Sequence, residues 1–190
     1  NWRPDTGPFD LTRAIADSCN VYFFTVGGGF GSFDGLGAER LVHYLTESKA
    51  DSFLDIDLPG EKTGFVPTPE WKYRTQKEPW YQGDTYNISI GQGDLVVTPL
   101  WLNSYISAIA NGGTVWQPHI ASRVVDGQRS TLSLIEPKQQ GALPFSASVI
   151  ESMQTAMRQT VTDGTGKIFR DLPVTAAAKT GTAEVIKGKR

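Results

Sequence analysis

The apolar run Val174 to Val185 reads as a β-strand, and nothing else in the 190 residues reads as a core strand able to pair with it. A lone strand leaves its own backbone donors and acceptors unmatched, so a sheet built on it needs partners from outside this sequence. What precedes it is mostly helical. Asp10 is placed to cap a helix over Leu11 to Asp17, where Leu11, Ala14 and Ile15 recur at helical spacing. Ser18-Cys19-Asn20 interrupts it, and a second helix, Val21 to Val26, is expected to stop at Gly27-Gly28-Gly29. Gly35 to Thr46 carries a stripe of Leu36, Leu41, Val42 and Leu45. Thr98-Pro99 opens the plainest helix, Leu100 to Ala110, with Leu102, Tyr105, Ile106 and Ile109 as its expected buried side. Ser146 to Thr162 is another long helix, with Val149, Ile150, Met153, Met157 and Val161 along one face.

The connections are of two kinds. Ala50 to Tyr86 reads as loop-rich, with Pro59, Pro67, Pro69 and Pro79 spaced through it. Its Trp71, Tyr73, Trp80 and Tyr81 predict a loop folded down onto the domain, because exposed rings are costly in water. Thr114 to Trp116 and Ile120 to Val125 read as short strands, and Asp126-Gly127 predicts a hairpin with Ser130 to Ile135. The fold class is therefore α+β: a helical subdomain with little more of its sheet than one strand. Both ends read as cuts. The start is neither an initiator methionine nor a signal peptide, and the Ala183 to Ile186 strand stops at Lys187 without a closing element. The expectation is an internal piece, residues 1–190, of one domain.

Composition excludes several functions. A net charge of −2 without a run of like charges gives no footprint for nucleic acid. One cysteine, Cys19, permits neither an internal disulfide nor a multi-cysteine metal site. Cys19 has no histidine-based activation evident in the sequence and is expected to be a small, partly buried residue. His43 and His119 read as surface residues. Neither a metal nor an organic cofactor is expected.

Chemistry is concentrated in two motifs. In Lys179-Thr180-Gly181-Thr182 the hydroxyls of Thr180 and Thr182 point the same way along an extended run, beside an ammonium, a natural receptor for a carboxylate. Ala176-Ala177-Ala178 keeps its approach free of bulk, and Gly181 lets a substrate backbone come near. Ser18-Cys19-Asn20 falls at a break between helices, where a short loop can aim Ser18 and Asn20 into a cleft. Each has a plainer use: Ser18 as a helix cap, Asn20 as a turn residue and Lys179 as a solvated guard on an edge strand. Lys-Thr-Gly and Ser-x-Asn are two of three signatures of penicillin-interacting serine acyl-transferases. The third, Ser-x-x-Lys, is missing: no serine of the chain is followed three positions later by lysine.

The order and setting of these motifs resemble the transpeptidase domain of the class B penicillin-binding proteins, in particular their penicillin-binding protein 2 branch. The resemblance is carried by Phe9 to Phe24, by Asp57-Leu58-Pro59-Gly60-Glu61 and by Pro67-Thr68-Pro69-Glu70-Trp71-Lys72. Its most specific part runs from Pro79-Trp80-Tyr81-Gln82-Gly83-Asp84-Thr85 to Ile90-Gly91-Gln92-Gly93, then Val97-Thr98-Pro99-Leu100 and Ala110-Asn111-Gly112-Gly113. Lys179-Thr180-Gly181-Thr182-Ala183 follows in the family's order, so the resemblance covers nearly the whole chain.

The resemblance implies a peptidoglycan D,D-transpeptidase that is also a target of β-lactams. It assigns Ser18 to relaying a proton between base and leaving amine, Asn20 to orienting the catalytic lysine and the substrate peptide, and Lys179 to supplying positive charge. Thr180, Gly181 and Thr182 would bind the donor's carboxylate, and the Thr182 N–H would form half of an oxyanion hole. The nucleophile would lie on a Ser-x-x-Lys helix roughly 40 to 70 residues upstream of Asn1, with further strands and a closing helix downstream. Implied partners are peptidoglycan stem peptides, β-lactams, a peptidoglycan polymerase and other elongation-complex proteins, at the periplasmic face of the bacterial cytoplasmic membrane with the anchor outside this chain. Two further readings stay open from the residues: another β-lactam-acylated protein, such as a carboxypeptidase, class D β-lactamase or sensor, and a non-catalytic scaffold module.

Overall fold

The computed structural model describes residues 8–182, and in them seven α-helices and four short strands alternate with long connections. Helix α1 spans Leu11–Ala16 and starts where the Asp10 carboxylate accepts the Arg13 N–H at 2.8 Å. Helix α2 spans Asn20–Gly28 and α3 spans Gly37–Glu47. The glycine run ends α2 as expected: Gly29, at φ +83°, caps the helix, and its last two residues are Gly27 and Gly28. They are where α5 comes closest: an added β-carbon would sit 1.8 Å from the Ser89 hydroxyl at Gly27 and 2.2 Å from the Tyr86 ring at Gly28. Here glycine serves helix packing as well as termination.

The Ala50 to Tyr86 stretch is less loop-like than expected, because it contains α4 (Pro69–Gln76) and α5 (Gln82–Ser89). Thr68 caps α4 by accepting the Trp71 N–H at 3.1 Å, with Pro69 at its first position, and Asp84 of α5 accepts the Tyr81 N–H at 2.7 Å. Polar contacts rather than an apolar stripe join the two. The buried Lys72 ammonium donates to the Asp84 carboxylate at 2.7 Å and lies 4.8 Å from the centre of the Tyr81 ring. The Asp84 hydrogen bond holds the Lys72 pKa above that of an ordinary lysine. The aromatic residues divide. Trp71 packs edge-on against Phe65 and the Trp80 indole donates to the buried Thr85 hydroxyl at 2.8 Å, whereas Tyr73 and Tyr81 stay exposed.

Helix α6 (Pro99–Ala110) starts at Thr98, whose hydroxyl accepts the Trp101 N–H at 3.0 Å, and α7 (Ala147–Thr162) starts at Ser146. α6 turns Trp101, Ala108 and Ile109 inward, while Leu102, expected in the core, is 48% exposed. Trp101 wins the inward position because it buries more surface and satisfies its one donor: the indole N–H meets the Ser48 carbonyl at 2.7 Å, and the ring stacks on Tyr105. One core joins Ala108, Ile109, Val115, Leu143, Ile150 and Met157; the second gathers Ala50, Leu54, Val66 and Trp101.

The strands are small. β2 (Arg123–Val125) pairs antiparallel with β3 (Thr131–Leu134), the hairpin expected around Asp126. β1 (Thr114–Trp116) pairs antiparallel with β4 (Gln139–Ala142), a strand its Gln-Gln-Gly-Ala sequence did not announce. Across these, Asp57 accepts the Ile120 and Ala121 N–H groups at 2.7 and 2.9 Å, and these bonds hold its carboxyl below the usual carboxylate range. The expected Val174 to Val185 strand is not a strand over residues 174–182, which have no ladder partner among the described residues; its remainder, with Ala183 to Ile186, lies outside the described residues. No described helix is long and apolar enough to cross a membrane.

Candidate active site

α1 packs against α7 and α2 against α5, which brings the α1–α2 break to the end of α7 and the start of the Lys179 segment. The break has a defined geometry. The Ser18 N–H bonds the Ile15 carbonyl at 3.2 Å and the Cys19 N–H bonds the Ala14 carbonyl at 2.9 Å, the pair of bonds that closes a helix through a left-handed residue. That residue is Ser18, at φ +55°, where glycine is the usual occupant. Ser18 is thus a helix terminator, and its strained backbone aims its hydroxyl into a cleft. Ser18→Gly is expected to raise stability by about 1 kcal/mol by relieving the left-handed backbone; a higher unfolding midpoint checks it.

Residues 176–182 are held without a strand ladder. The Ala178 N–H donates to the Met157 carbonyl at 3.0 Å, and the Arg158 guanidinium donates to the Ala176 carbonyl at 2.7 Å. The Thr165 and Thr180 hydroxyls lie 2.9 Å apart, and the Thr165 N–H donates to the Ala16 carbonyl at 3.0 Å. One short loop after α7 therefore ties the Lys179 segment to the last residue of α1.

The motifs meet directly. The Lys179 ammonium donates to the Ser18 hydroxyl at 2.8 Å and to the Thr180 carbonyl at 2.8 Å, although Ser18 and Lys179 are 161 residues apart. Protein packed round the ammonium removes water and lowers the Lys179 pKa from the ordinary 10.5, even though the residue keeps an exposed edge. No carboxylate among the described residues forms an ion pair with it. Asn20, the first residue of α2, and Thr180, Gly181 and Thr182 complete the walls of a cleft of about 720 Å³. All six motif residues singled out in the sequence line this one cleft. Its positive charge and hydroxyls suit an anionic group at the end of an extended ligand.

Phe23, Leu102 and Ser89, which the sequence reading left out, also line the cleft, as does the Ile90 to Gln92 turn. The Gln92 carboxamide donates to the Thr182 carbonyl at 2.7 Å, so two of the lining residues are joined directly. Cys19 is half-buried and lines a separate apolar recess beside Phe9 and Tyr22. Among the described residues no group of three or more His, Cys, Asp and Glu side chains is arranged to hold a metal ion.

Comparison with known proteins gives a consistent result. Residues 1–190 match the family described as the penicillin binding protein transpeptidase domain. The chain is 32% identical over 189 residues to the peptidoglycan D,D-transpeptidase MrdA of Acinetobacter baumannii, covering 97% of this chain but 27% of that protein. The solved structure of penicillin-binding protein 2 from Helicobacter pylori superposes with a TM-score of 0.75 at 30% identity, covering 93% of this chain and 31% of that one. The same protein in complex with MreC gives a TM-score of 0.72 at 28% identity, covering 93% and 31%. The chain thus spans roughly a quarter to a third of the length of these relatives.

Proposed function

Because the chain belongs to the penicillin-binding protein transpeptidase family, we propose that it supplies two walls of a serine acyl-transfer site that cross-links peptidoglycan. The nucleophile comes from a Ser-x-x-Lys segment of the same polypeptide outside these residues, which makes the chain an internal piece of one transpeptidase domain. That serine attacks the D-Ala-D-Ala peptide bond, D-alanine leaves with a proton, and an amine of a second stem peptide takes the acyl group. Ser18 passes the proton between base and leaving amine. Lys179 keeps the Ser18 hydroxyl polarised and draws the donor's terminal carboxylate, which Thr180 and Thr182 bind. Asn20 orients the incoming lysine and the substrate peptide, and the Thr182 N–H stabilises the developing oxyanion. β-Lactams enter as mimics of the donor.

The observation that carries this reading is the 2.8 Å hydrogen bond from Lys179 to Ser18 in a cleft that also holds Thr180 and Thr182. A plain helix cap and a plain edge-strand lysine would have no reason to meet. The family relationship extends the reading to the periplasmic face of the bacterial cytoplasmic membrane. It also extends it to partners, a peptidoglycan polymerase and an MreC-like protein of the elongation complex, the latter in keeping with the complex of the H. pylori relative.

The lowered Lys179 pKa gives a pH test. The charged form carries the relay, so acylation is expected to fall on the alkaline side as Lys179 deprotonates, with a midpoint below 10.5. The sign for stability is opposite: the folded state holds a desolvated ammonium at neutral pH, and this cost fades as pH rises from the folded pKa towards 10.5. Penicillin acylation rates measured against pH on the intact gene product check the first statement. Lys179→Arg should shift the alkaline limb upward, and an unmoved limb would contradict the assignment of the charge to Lys179.

A further inference from the structure

The Ile90 to Gly93 turn at the edge of the cleft is shaped to present one side chain. The Ile90 and Gln92 N–H groups both donate to the Asn87 carbonyl, at 3.1 and 2.9 Å, and the Gly91 N–H donates to the Ile88 carbonyl at 3.1 Å. Gly91 and Gly93 hold φ at +73° and +76°, a region other residues rarely adopt. Between them Gln92 is half-buried, and its carboxamide reaches 90 residues along the chain to donate to the Thr182 carbonyl at 2.7 Å. Beyond Ala178, four bonds among the described residues hold the segment: the Lys179 ammonium on the Ser18 hydroxyl and on the Thr180 carbonyl, the Thr165–Thr180 hydroxyl pair, and Gln92 on Thr182. Among the described residues, Gln92 is the only partner of the Thr182 backbone.

We infer that Gln92 is a positioning residue for acyl transfer, clamping the Thr182 carbonyl so that the adjoining Thr182 N–H points where the oxyanion forms. The inference rests on the serine acyl-transfer reading above. An oxyanion donor is effective only when its direction is fixed before the reaction, and a misplacement of about 1 Å is costly. Among the described residues no ladder partner supplies that rigidity to Thr182, and a side-chain donor does. The clamp requires a donor, and this makes it testable by chemistry rather than by size. Alanine has none. An ionised glutamate has only acceptors and faces a carbonyl oxygen, whereas a protonated glutamate regains one O–H donor.

The experiment uses the intact gene product, with acylation by a fluorescent penicillin followed as a rate from about pH 5 to pH 8. Gln92→Ala is expected to acylate about tenfold more slowly than wild type at every pH, with an unchanged pH profile. Gln92→Glu is expected to be at least as slow at neutral pH but to recover towards wild type as pH falls and its carboxyl protonates, a rescue that the alanine variant lacks. A residue that merely filled space would show no such rescue. Gln92→Ala acylating at the wild-type rate, or Gln92→Glu tracking Gln92→Ala through the acid range, would overturn the inference while leaving the acyl-transfer reading intact. Absence of acylation in the wild-type protein would overturn both.

Discussion

Lys179→Ala in the intact gene product is expected to lower the rate of penicillin acylation by about two to four orders of magnitude. The ammonium is asked to do two things at once. It donates to the Ser18 hydroxyl at 2.8 Å, which in the proposed reaction fixes the direction of the relay, and among the described residues it is a cation of the cleft with no carboxylate of its own. A substrate carboxylate therefore meets an uncompensated charge in a partly dewatered site, where Coulomb attraction exceeds its value in bulk water. Alanine removes the charge, the donor and the orientation of Ser18 together. Folding is expected to survive, because Lys179 is exposed at one edge and the backbone around it is tied by Arg158, Met157 and Thr165 instead. Stopped-flow or gel-based labelling measures the rate, and circular dichroism with an unfolding curve verifies the fold. A variant that acylates within about threefold of wild type would remove Lys179 from the machinery.

Gly164→Ala is expected to act through the scaffold, costing about 3 kcal/mol of stability and most of the acylation rate. An added β-carbon at Gly164 would lie 2.2 Å from the Ala16 carbonyl oxygen, 2.7 Å from the Ala16 carbonyl carbon and 2.9 Å from the Thr160 α-carbon. All three are backbone atoms, so no side chain can swing away. Either α7 or the end of α1 must shift, and Ala16 stands two residues before Ser18. The Thr165 bonds to Ala16 and Thr180 would be disturbed at the same time, which separates the two halves of the cleft. Gly83→Ala is the matched control: it lies in α5 with nothing within 4 Å of the new carbon and is expected to be neutral or slightly stabilising. Denaturant unfolding midpoints and labelling rates on both variants distinguish the cases.

Much of the helical layer was legible because its ends carry strong local chemistry. Asp10, Thr98 and Ser146 all cap as their sequence settings imply, and the Asp126 turn closes the hairpin it announces. Helices α4 and α5 were not legible in the same way. Each has eight residues, too few for an apolar stripe, and their stability comes from the Lys72–Asp84 and Trp80–Thr85 contacts, which link residues by tertiary folding. The Thr68-Pro69-Glu70 start was the signal available for α4. The glycine cluster marked the end of α2 correctly, but not that Gly27 and Gly28 also make room for Ser89 and Tyr86 of α5. The Val174 to Val185 pattern is that of a strand, yet a strand requires a partner, and residues 174–182 have none among the described residues.

The candidate site divides similarly. Ser18, Asn20 and Lys179 to Thr182 were recognisable as motifs, and the fold brings them to one cleft. The residues that hold them there were not recognisable, because Thr165, Arg158 and Gln92 act through single bonds to backbone or hydroxyl groups that leave no periodic trace. That the Gln92 side chain crosses from its turn to Thr182 depends on geometry alone.

The most direct measurement is peptide mapping, by mass spectrometry, of the covalent adduct formed when the intact gene product reacts with benzylpenicillin. The adduct is expected on a serine of a Ser-x-x-Lys segment outside residues 1–190, with none on Ser18 or Cys19, and the 190-residue chain alone is expected to remain unlabelled. An adduct on Ser18, Cys19 or any other residue of this chain, or no adduct on the intact protein, would contradict the assignment of this cleft as two walls around an incoming serine nucleophile.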